Sequence, residues 1–399
     1  MNIRVAPFVI ALAMLAPIAP DLVAQQTQPP QTPPPLPVAQ PPVVVSQEAL
    51  LLAQGWGYLS AGDVAHAAGV SAQVLTQFPL SEAGLALGIE IELVRTGWLG
   101  ALDLYERWLG ARHMDEPYGL RRIARASLRE ALHNAEARTI ALEALITDGD
   151  QDALAQATAE SRAGKFSDTQ ALAKIGDERA VRALIAELDT MPDARGPIIL
   201  ALGQSRNRIA VPALVKLLGD QKDETQAKAA EALGLIGDSS VADKLRPLLD
   251  TAHPPFVRFA AARALGQLGD ASGTAFIRNA MDSTTGQPGM SYYRVQAAAA
   301  LAAIGPDTGW LDTARSLLSD PDPNVRAEAA QIVAPYDNAA AKDALTTLTA
   351  DPNPAIRQKA GQILAEHVAG DFATLRALLR SSDAGARASA AARILEISR

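Results

Sequence analysis

The sequence predicts an all-α protein, most of it an α-solenoid of stacked antiparallel helix hairpins, on three observations. Apolar residues make up 48% of the chain but aromatic residues only 4%, and the apolar set is dominated by Ala and Leu. Small residues let helix backbones approach while Leu fills the seam, whereas strands would need β-branched and aromatic runs. A leucine-type residue then recurs at nearly regular intervals through the C-terminal two thirds of the chain. Finally, a long polar side chain stands seven residues before each recurrence.

The elements follow in order. Arg4 and the apolar run 5–19 have the layout of a secretory signal, with Leu22-Val23-Ala24 suited to cleavage after Ala24. Residues 1–24 are therefore expected to be a signal peptide, and the mature protein to be periplasmic or secreted. The run is short and broken by Pro7 and Pro17, which disfavours the alternative of a retained membrane anchor. With zero cysteines in the chain, a lipid-anchored form, disulfides and thiolate chemistry are excluded. No later segment is apolar enough to span a bilayer.

Residues 25–46 read as a Pro-rich disordered linker. Eight prolines, at positions 29, 30, 33, 34, 35, 37, 41 and 42, lie among Gln and Thr and favour extended polyproline II over a packed fold. The plain role is a spacer; the alternative is a motif for a proline-binding groove.

From 47 to 112 two helical hairpins are expected. Gly55, Tyr58, Gly62, Ala67 and Pro79 fall at offsets 0, 3, 7, 12 and 24. Gly55 and Ala67 permit a close helix crossing, Tyr58 fills the gap, Gly62 turns the chain, and Pro79 ends the second helix. This spacing resembles a tetratricopeptide repeat. In the next copy Ala101 and Tyr105 keep their places, but Ile89 and Glu92 replace the first Gly and the Tyr.

Residues 113–399 carry the strongest pattern. The anchors are Leu145, Leu172, Leu202, Leu233, Leu265, Leu301, Val333, Leu364 and Ile394, at intervals of 27, 30, 31, 32, 36, 32, 31 and 30. Seven residues before them stand Arg138, Lys165, Arg195, Gln226, Arg258, Arg294, Arg326, Arg357 and Arg387. Each unit divides into a first helix with Leu pairs four apart, such as Leu184/Leu188 and Leu214/Leu218, and an Ala-rich second helix closed by Gly-Asp. The pattern resembles HEAT repeats of the short, PBS-lyase-like kind. The resemblance implies hairpins stacked into a curved superhelix, with a turn Asp and the second-helix Arg forming a ladder between neighbours. By that expectation the ladder is interrupted at Gln226 and disturbed near Arg258 and Arg294.

A hairpin that cannot bury both helical faces alone must stack, and the product is a long scaffold with a concave face lined by the second helices. Helical phase places Lys228, Glu231, Phe259, Arg263, Gln296, Glu328, Gln331, Lys359 and Gln362 on that face. These charges are mixed, and the net charge is −8 with a pI near 5.3. A protein partner is favoured, and nucleic acid, which needs a basic stripe, is disfavoured.

Three places stand out. The 36-residue interval marks an insertion at 282–293 that ends in Tyr292-Tyr293. Beside it lies His253-Pro254-Pro255-Phe256, so that Phe256 and Phe259 form an aromatic edge. Together with Arg263 and Gln296 these residues make one candidate partner-binding site, since Tyr is favoured at interfaces. The plain alternative is a tolerated insertion and a lengthened turn. The third place is the run Arg121, Arg122, Arg125 and Arg129 where the two repeat types meet. Arg122, Arg125 and Arg129 share a helical face, read either as a docking face for an acidic partner or as salt bridges to neighbours.

Catalysis, metal and cofactor have no support in the sequence. The five histidines are unpaired at metal-ligand spacing, and no Gly-rich phosphate loop or nucleophile elbow is present; glycines sit at helix ends, where they read as stops. The PBS-lyase label comes from enzymes that attach bilins, but the shared repeat transfers no catalytic residue. The expected function is an exported interaction scaffold, not an enzyme. The alternatives are a passive structural or stabilising component of the envelope and, third, a PBS-lyase-like enzyme.

Overall fold

The structure, a computed structural model, describes residues 45–283, 290–304, 308–367 and 372–399. The expected signal peptide, nearly all of the Pro-rich stretch, and residues 284–289 of the insertion lie outside the described residues. Among those described there are 22 α-helices and no strand, so the chain is an α-solenoid. No described helix is long and apolar enough to cross a membrane.

Two hairpins come first: α1 (Gln47–Ser60) with α2 (Val64–Gln77), then α3 (Glu82–Arg95) with α4 (Gly97–Arg112). A Cβ on Gly55 would lie 2.5 Å from Leu87 Cδ2, so the close crossing needs Gly there. Ala67 is buried, and Gly62 turns the chain at φ +78°.

Nine outer–inner helix pairs follow. They are α5 (Pro117–Ala131) with α6 (Arg138–Thr147), α7 (Gln151–Arg162) with α8 (Phe166–Lys174), and α9 (Glu178–Glu187) with α10 (Arg195–Gln204). Next come α11 (Val211–Leu217) with α12 (Asp223–Ile236), α13 (Ala242–Leu245) with α14 (Pro255–Gln267), and α15 (Thr274–Ser283) with α16 (Ser291–Ile304). The last three are α17 (Thr308–Ser316) with α18 (Pro323–Val333), α19 (Asn338–Leu348) with α20 (Pro354–His367), and α21 (Phe372–Leu379) with α22 (Ala384–Ile397). All nine anchors, from Leu145 to Ile394, are buried in the seam between inner helices.

The Ala-Leu-Gly triplets have a role beyond stopping helices. A Cβ on Gly203 would meet Ala232 Cα at 2.7 Å, and one on Gly234 would meet Ala264 Cα at 2.8 Å. These glycines set how closely α10, α12 and α14 approach. The stops are made further on, by Gly237 at φ +76° and Gly269 at φ +79°. Asp238 then accepts the Ser240 N–H at the start of the next turn.

The expected Asp–Arg ladder is met where Arg195 reaches Asp220 of the next unit at 3.5 Å, but the repeating contact has a different form. The recurrent contact runs from the long side chain to a main-chain carbonyl at the end of the preceding outer helix. Arg326 Nη1 donates to Asp320 O at 2.7 Å, Arg357 Nη1 to Asp351 O at 2.8 Å, and Arg387 Nη1 to Ser381 O at 2.8 Å. Arg195 and Arg258 do likewise to Leu188 O and Leu249 O. Gln226 Nε2 reaches Asp220 O at 2.6 Å, so the series is not interrupted there. The position selects a long donor that satisfies a helix-end carbonyl, and positive charge is secondary. True ion pairs between units do occur, as where Arg138 holds the fully buried Asp168 with two parallel bonds of 2.7 and 2.8 Å.

The largest departure from expectation is closure. Each inner helix packs on the next from α6 to α22, and α22 then packs on both α5 and α6. The expected curved superhelix closes on itself as a ring. Its seam is polar at the edges and apolar within. Arg121 Nη1 donates to Leu395 O at 2.6 Å, and the same guanidinium bonds Asp148, which Arg125 also holds. Arg399 Nη2 reaches Thr147 O at 3.1 Å. Outside the ring Arg376 bonds Asp115, and Arg380 bonds Asp103 and Glu106, each at 2.6 Å, tying α21 to α4 and the chain that follows it. Leu120, Ile123, Leu142, Ala391, Ile394 and Leu395, all at most 1% exposed, belong to one continuous core across this joint.

Candidate binding cleft on the inner face

Three parallel inner helices build the cleft from one stripe each. Helix α12 contributes Glu224, Ala227, Lys228 and Glu231, spaced as one helical face. Helix α14 starts at Pro255, a residue suited to a first helical position because it has no N–H to satisfy. Its first turns place Phe256, Phe259, Ala260 and Arg263 on the same side. Helix α16 contributes Tyr292, Tyr293 and Gln296 from its N-terminal turns.

Phe256, Phe259, Arg263, Tyr292, Tyr293 and Gln296, separated by up to forty positions in the sequence, therefore line one cavity of about 200 Å³. Their burial is unequal. Phe256 and Tyr292 are 38% and 48% exposed, but Phe259 is only 4% exposed and is not the solvent-facing residue that helical phase suggests. Its ring centroid lies 5.1 Å from that of Phe276 on α15 and 6.2 Å from that of Tyr293. Both neighbours come from the next hairpin, and they cover it. Tyr292 meets Tyr293 edge-on at 6.0 Å. Arg258 stacks over Phe276 at 3.8 Å, bracing the aromatic wall from behind.

The polar residues divide into satisfied and unsatisfied groups. Glu328 accepts from Gln296 Nε2 at 2.6 Å and pairs with Lys359 Nζ at 3.1 Å, a chain that joins α16, α18 and α20. Among the described residues, Lys228, Glu231 and Arg263 make no hydrogen bond or ion pair. Burial pushes the Glu231 carboxyl above the usual range and Glu328 adds to this, while Arg263 and Lys228 pull it back. Burial likewise raises the Tyr292 phenol, with Glu328 and Glu231 adding to it. The same three charged residues line an adjoining hollow of about 110 Å³ beside Leu200, Leu235 and Gln267.

The basic run on α5 is a different case. Arg122 Nε bonds Glu90 at 2.5 Å, Arg125 bonds Asp148, and Arg129 Nη2 bonds Asp150 at 2.8 Å. Asp148 is fully buried and Asp150 nearly so. These arginines do not form a free face for an acidic partner: they fasten α5 to α3 and to the turn after α6, and they stand at the seam, apart from the cleft. Sequence reasoning missed Phe276, whose outer-helix position gave no signal. It also missed Asp148, whose role depends on arginines more than twenty positions away. Among the described residues no three or more His, Asp or Glu side chains gather as a metal site.

A larger hollow of about 660 Å³ lies where α6, α8 and α10 face α20 and α22 across the ring. Its lining is amides, hydroxyls and both signs of charge, including Lys174 paired with Glu143 at 2.6 Å.

Residues 181–266, 211–288 and 290–365 match the family model of HEAT repeats. A stretch of 78 residues is 36% identical to deoxyhypusine hydroxylase from Gallus gallus, which is 19% of this chain and 26% of that protein. The chain thus matches about a quarter of that relative's length. Among solved structures, the complex of CpcE and CpcF of phycocyanin lyase from Nostoc sp. PCC7120 is 22% identical over 56% of this chain and 86% of the other, with a TM-score of 0.38. Human deoxyhypusine hydroxylase in complex with glycerol is 20% identical over 58% and 90%, with a TM-score of 0.33.

Proposed function

Between residues 181 and 365 the chain is built of HEAT repeats, and from that premise we propose that it is an exported scaffold that binds a protein partner and catalyses no reaction. Such repeats stack into broad inner surfaces suited to polypeptides. The observation that carries the proposal is the convergence of Phe256, Tyr292 and Tyr293 beside three unpaired charged side chains of both signs, Lys228, Glu231 and Arg263. Exposed aromatic rings anchor a partner at low entropic cost, and unpaired charges within a hollow gain most when a ligand supplies the missing partner. Two cations beside carboxylates suit a polypeptide of mixed charge better than a polyanion.

A photo-crosslinking residue at position 292 tests the reading. It should join a defined polypeptide, whereas the same residue at the exposed Leu99 on α4, a helix that packs on α3 and α5, should not. Equal labelling at both positions overturns it. Export rests on Arg4, the apolar run that follows and Leu22-Val23-Ala24. The periplasmic or secreted protein should begin at Gln25, and recovery of the intact chain from the cytosol alone refutes that part.

A further inference from the structure

The hollows on the inner face join into one passage through the ring. Leu200 lines both the large hollow and the small one beside Leu235, and Lys228, Glu231 and Arg263 line both the small hollow and the aromatic cleft. The three lie at different depths. Phe256 and Tyr292 stand nine residues before the anchors Leu265 and Leu301 of their helices. Leu200, Glu231 and Arg263 stand two before theirs, and Gln204, Glu366 and Glu396 stand two after. The inner helices run side by side in one direction around the ring, so these eleven positions cover about 16 Å of depth. The cleft is therefore one mouth, the large hollow is the other, and the small hollow connects them.

The passage is narrow. Nine inner helices packed about 9 Å apart close a circle about 26 Å across between axes. Subtracting a helix body of about 11 Å leaves an opening of about 15 Å. Two observations agree with that width. Gln204 of α10 and Gln362 of α20, on nearly opposite sides, line the same hollow. Burial raises the Glu366 carboxyl on α20, where His367 and Lys174 of α8 oppose it and Glu143 of α6 adds to it. A folded domain of about 100 residues, about 13 Å in radius of gyration, cannot enter such an opening. One extended chain can.

The lining points to the same occupant. Gln170, Gln204, Gln267 and Gln362 line the passage from four helices, and among the described residues none of their side chains makes a hydrogen bond. An amide both donates and accepts, and an extended segment carries an N–H and a C=O on each residue that no internal bond satisfies. A helix would bring a backbone already paired within itself. Leu200, half-exposed in the middle, and Phe256 and Tyr292 at the mouth offer apolar contact for the segment's side chains.

We propose that the ring is threaded: one extended polypeptide segment enters at the aromatic mouth, passes Leu200, and leaves at the mouth formed by α6, α20 and α22. The inference rests on the inner face being the binding surface proposed above. At about 3.3 Å per residue the passage holds about five residues, so a peptide of about twenty projects from both mouths. The probe is a fluorescent peptide of that length, built of Ser, Thr, Ala and Asn around one central Tyr. In the otherwise cysteine-free chain, Gln204→Cys and Gln362→Cys can be joined across the passage by a reducible bis-maleimide. Joining them should abolish peptide binding, and reducing the bridge should restore it. Either single variant, capped with N-ethylmaleimide, should keep binding, with unchanged melting as the control for folding. N-methylating the peptide backbone around the Tyr should weaken binding by about tenfold or more. A folded domain fused to one end of the peptide should leave binding intact, and folded domains at both ends should abolish it, because neither end can then pass.

Absence of peptide binding overturns the proposal. So does binding that survives the bridge, or that survives folded domains at both ends. Tighter binding of a helix-stapled peptide overturns the extended segment in favour of a helix. If position 292 still crosslinks its polypeptide in the bridged chain, threading falls and the proposed function stands. If the bridge blocks the peptide while position 292 of the open chain labels no defined polypeptide, threading stands and the proposed function falls.

Discussion

Arg121 donates to the main-chain oxygen of Leu395 at 2.6 Å, although 274 positions separate the two residues. The same guanidinium holds the buried carboxylate of Asp148. One side chain thus satisfies a carbonyl of the last inner helix and a charge at the end of the first. Arg121→Ala should leave both short of a partner and cost about 2–4 kcal/mol, within the range for a broken buried pair. Hydrogen exchange should quicken in α22, α5 and α6 and stay unchanged in α12 and α14; a uniform change refutes the seam assignment.

Gly203 offers a test of how the ring tolerates misfit. Any Cβ there meets backbone, not a flexible side chain, so α10 and α12 must move apart. An open stack absorbs such a shift at its free end, but a closed one transmits it round to the seam. Gly203→Ala should therefore cost about 1–3 kcal/mol in denaturant unfolding and also raise exchange at Leu395. Loss confined to the α10–α12 joint would contradict this.

The carbonyl-capping series predicts which substitutions are tolerated. Gln226→Arg should be nearly neutral, because either side chain can donate to Asp220 O. Gln226→Leu should cost about 1–2 kcal/mol, since the half-buried carbonyl then loses its donor. Equal stability of the Leu and Arg variants in urea would show that the contact contributes nothing.

The Glu231 carboxyl titrates above its unfolded value, so the folded state holds the proton more tightly than the unfolded chain. Stability must then fall as pH rises from the ordinary carboxyl range through the raised folded value, and stay lower at neutral pH. Glu231→Gln should consequently raise the melting temperature at pH 7 and have no such effect in acid below about pH 4.5, the unperturbed value. A stabilisation that is the same at both pH values would point to a cause other than titration.

The two adjacent tyrosines should separate binding from stability. Tyr292 is half-exposed, and Tyr292→Ala should weaken partner retention more than fivefold with little change in melting, in line with about 1–2 kcal/mol for an aromatic anchor. Tyr293 packs on Phe259, so Tyr293→Ala should lower the melting temperature as well. If both variants melt like the unsubstituted chain, the wall is not built as described.

The hairpins were legible because their signals are local. The buried anchors repeat with the unit, and the helical phase of α12, α14 and α16 brought Phe256, Arg263, Tyr292 and Gln296 to one side. What failed to show depends on contacts between distant segments. Phe259 has the phase of an inner-face residue and is buried because Phe276 and Tyr293 arrive from the next hairpin. Arg122, Arg125 and Arg129 share a face that the sequence displays, but Glu90, Asp148 and Asp150 that neutralise it carry no matching spacing. Closure is hidden for the same reason: the approach set by Gly203 and Gly234 fixes a small rotation per unit, and only the sum over nine units decides whether the ends meet.

The joint between α22 and α5 also has a consequence in time. An exported chain is delivered N-terminus first, and domains begin to fold as they appear. Helix α5 and the hairpins after it can stack on one another early, through neighbours close in sequence. The apolar flank formed by Leu120, Ile123 and Leu142 has no cover until the final helix has been made, since Arg121 and its partner Ser398 stand 277 residues apart. Contacts so distant form last and slowly. Until its last helix arrives the chain therefore carries a sticky edge, which a holdase chaperone would shield, and a chain interrupted before residue 384 would keep that edge for good.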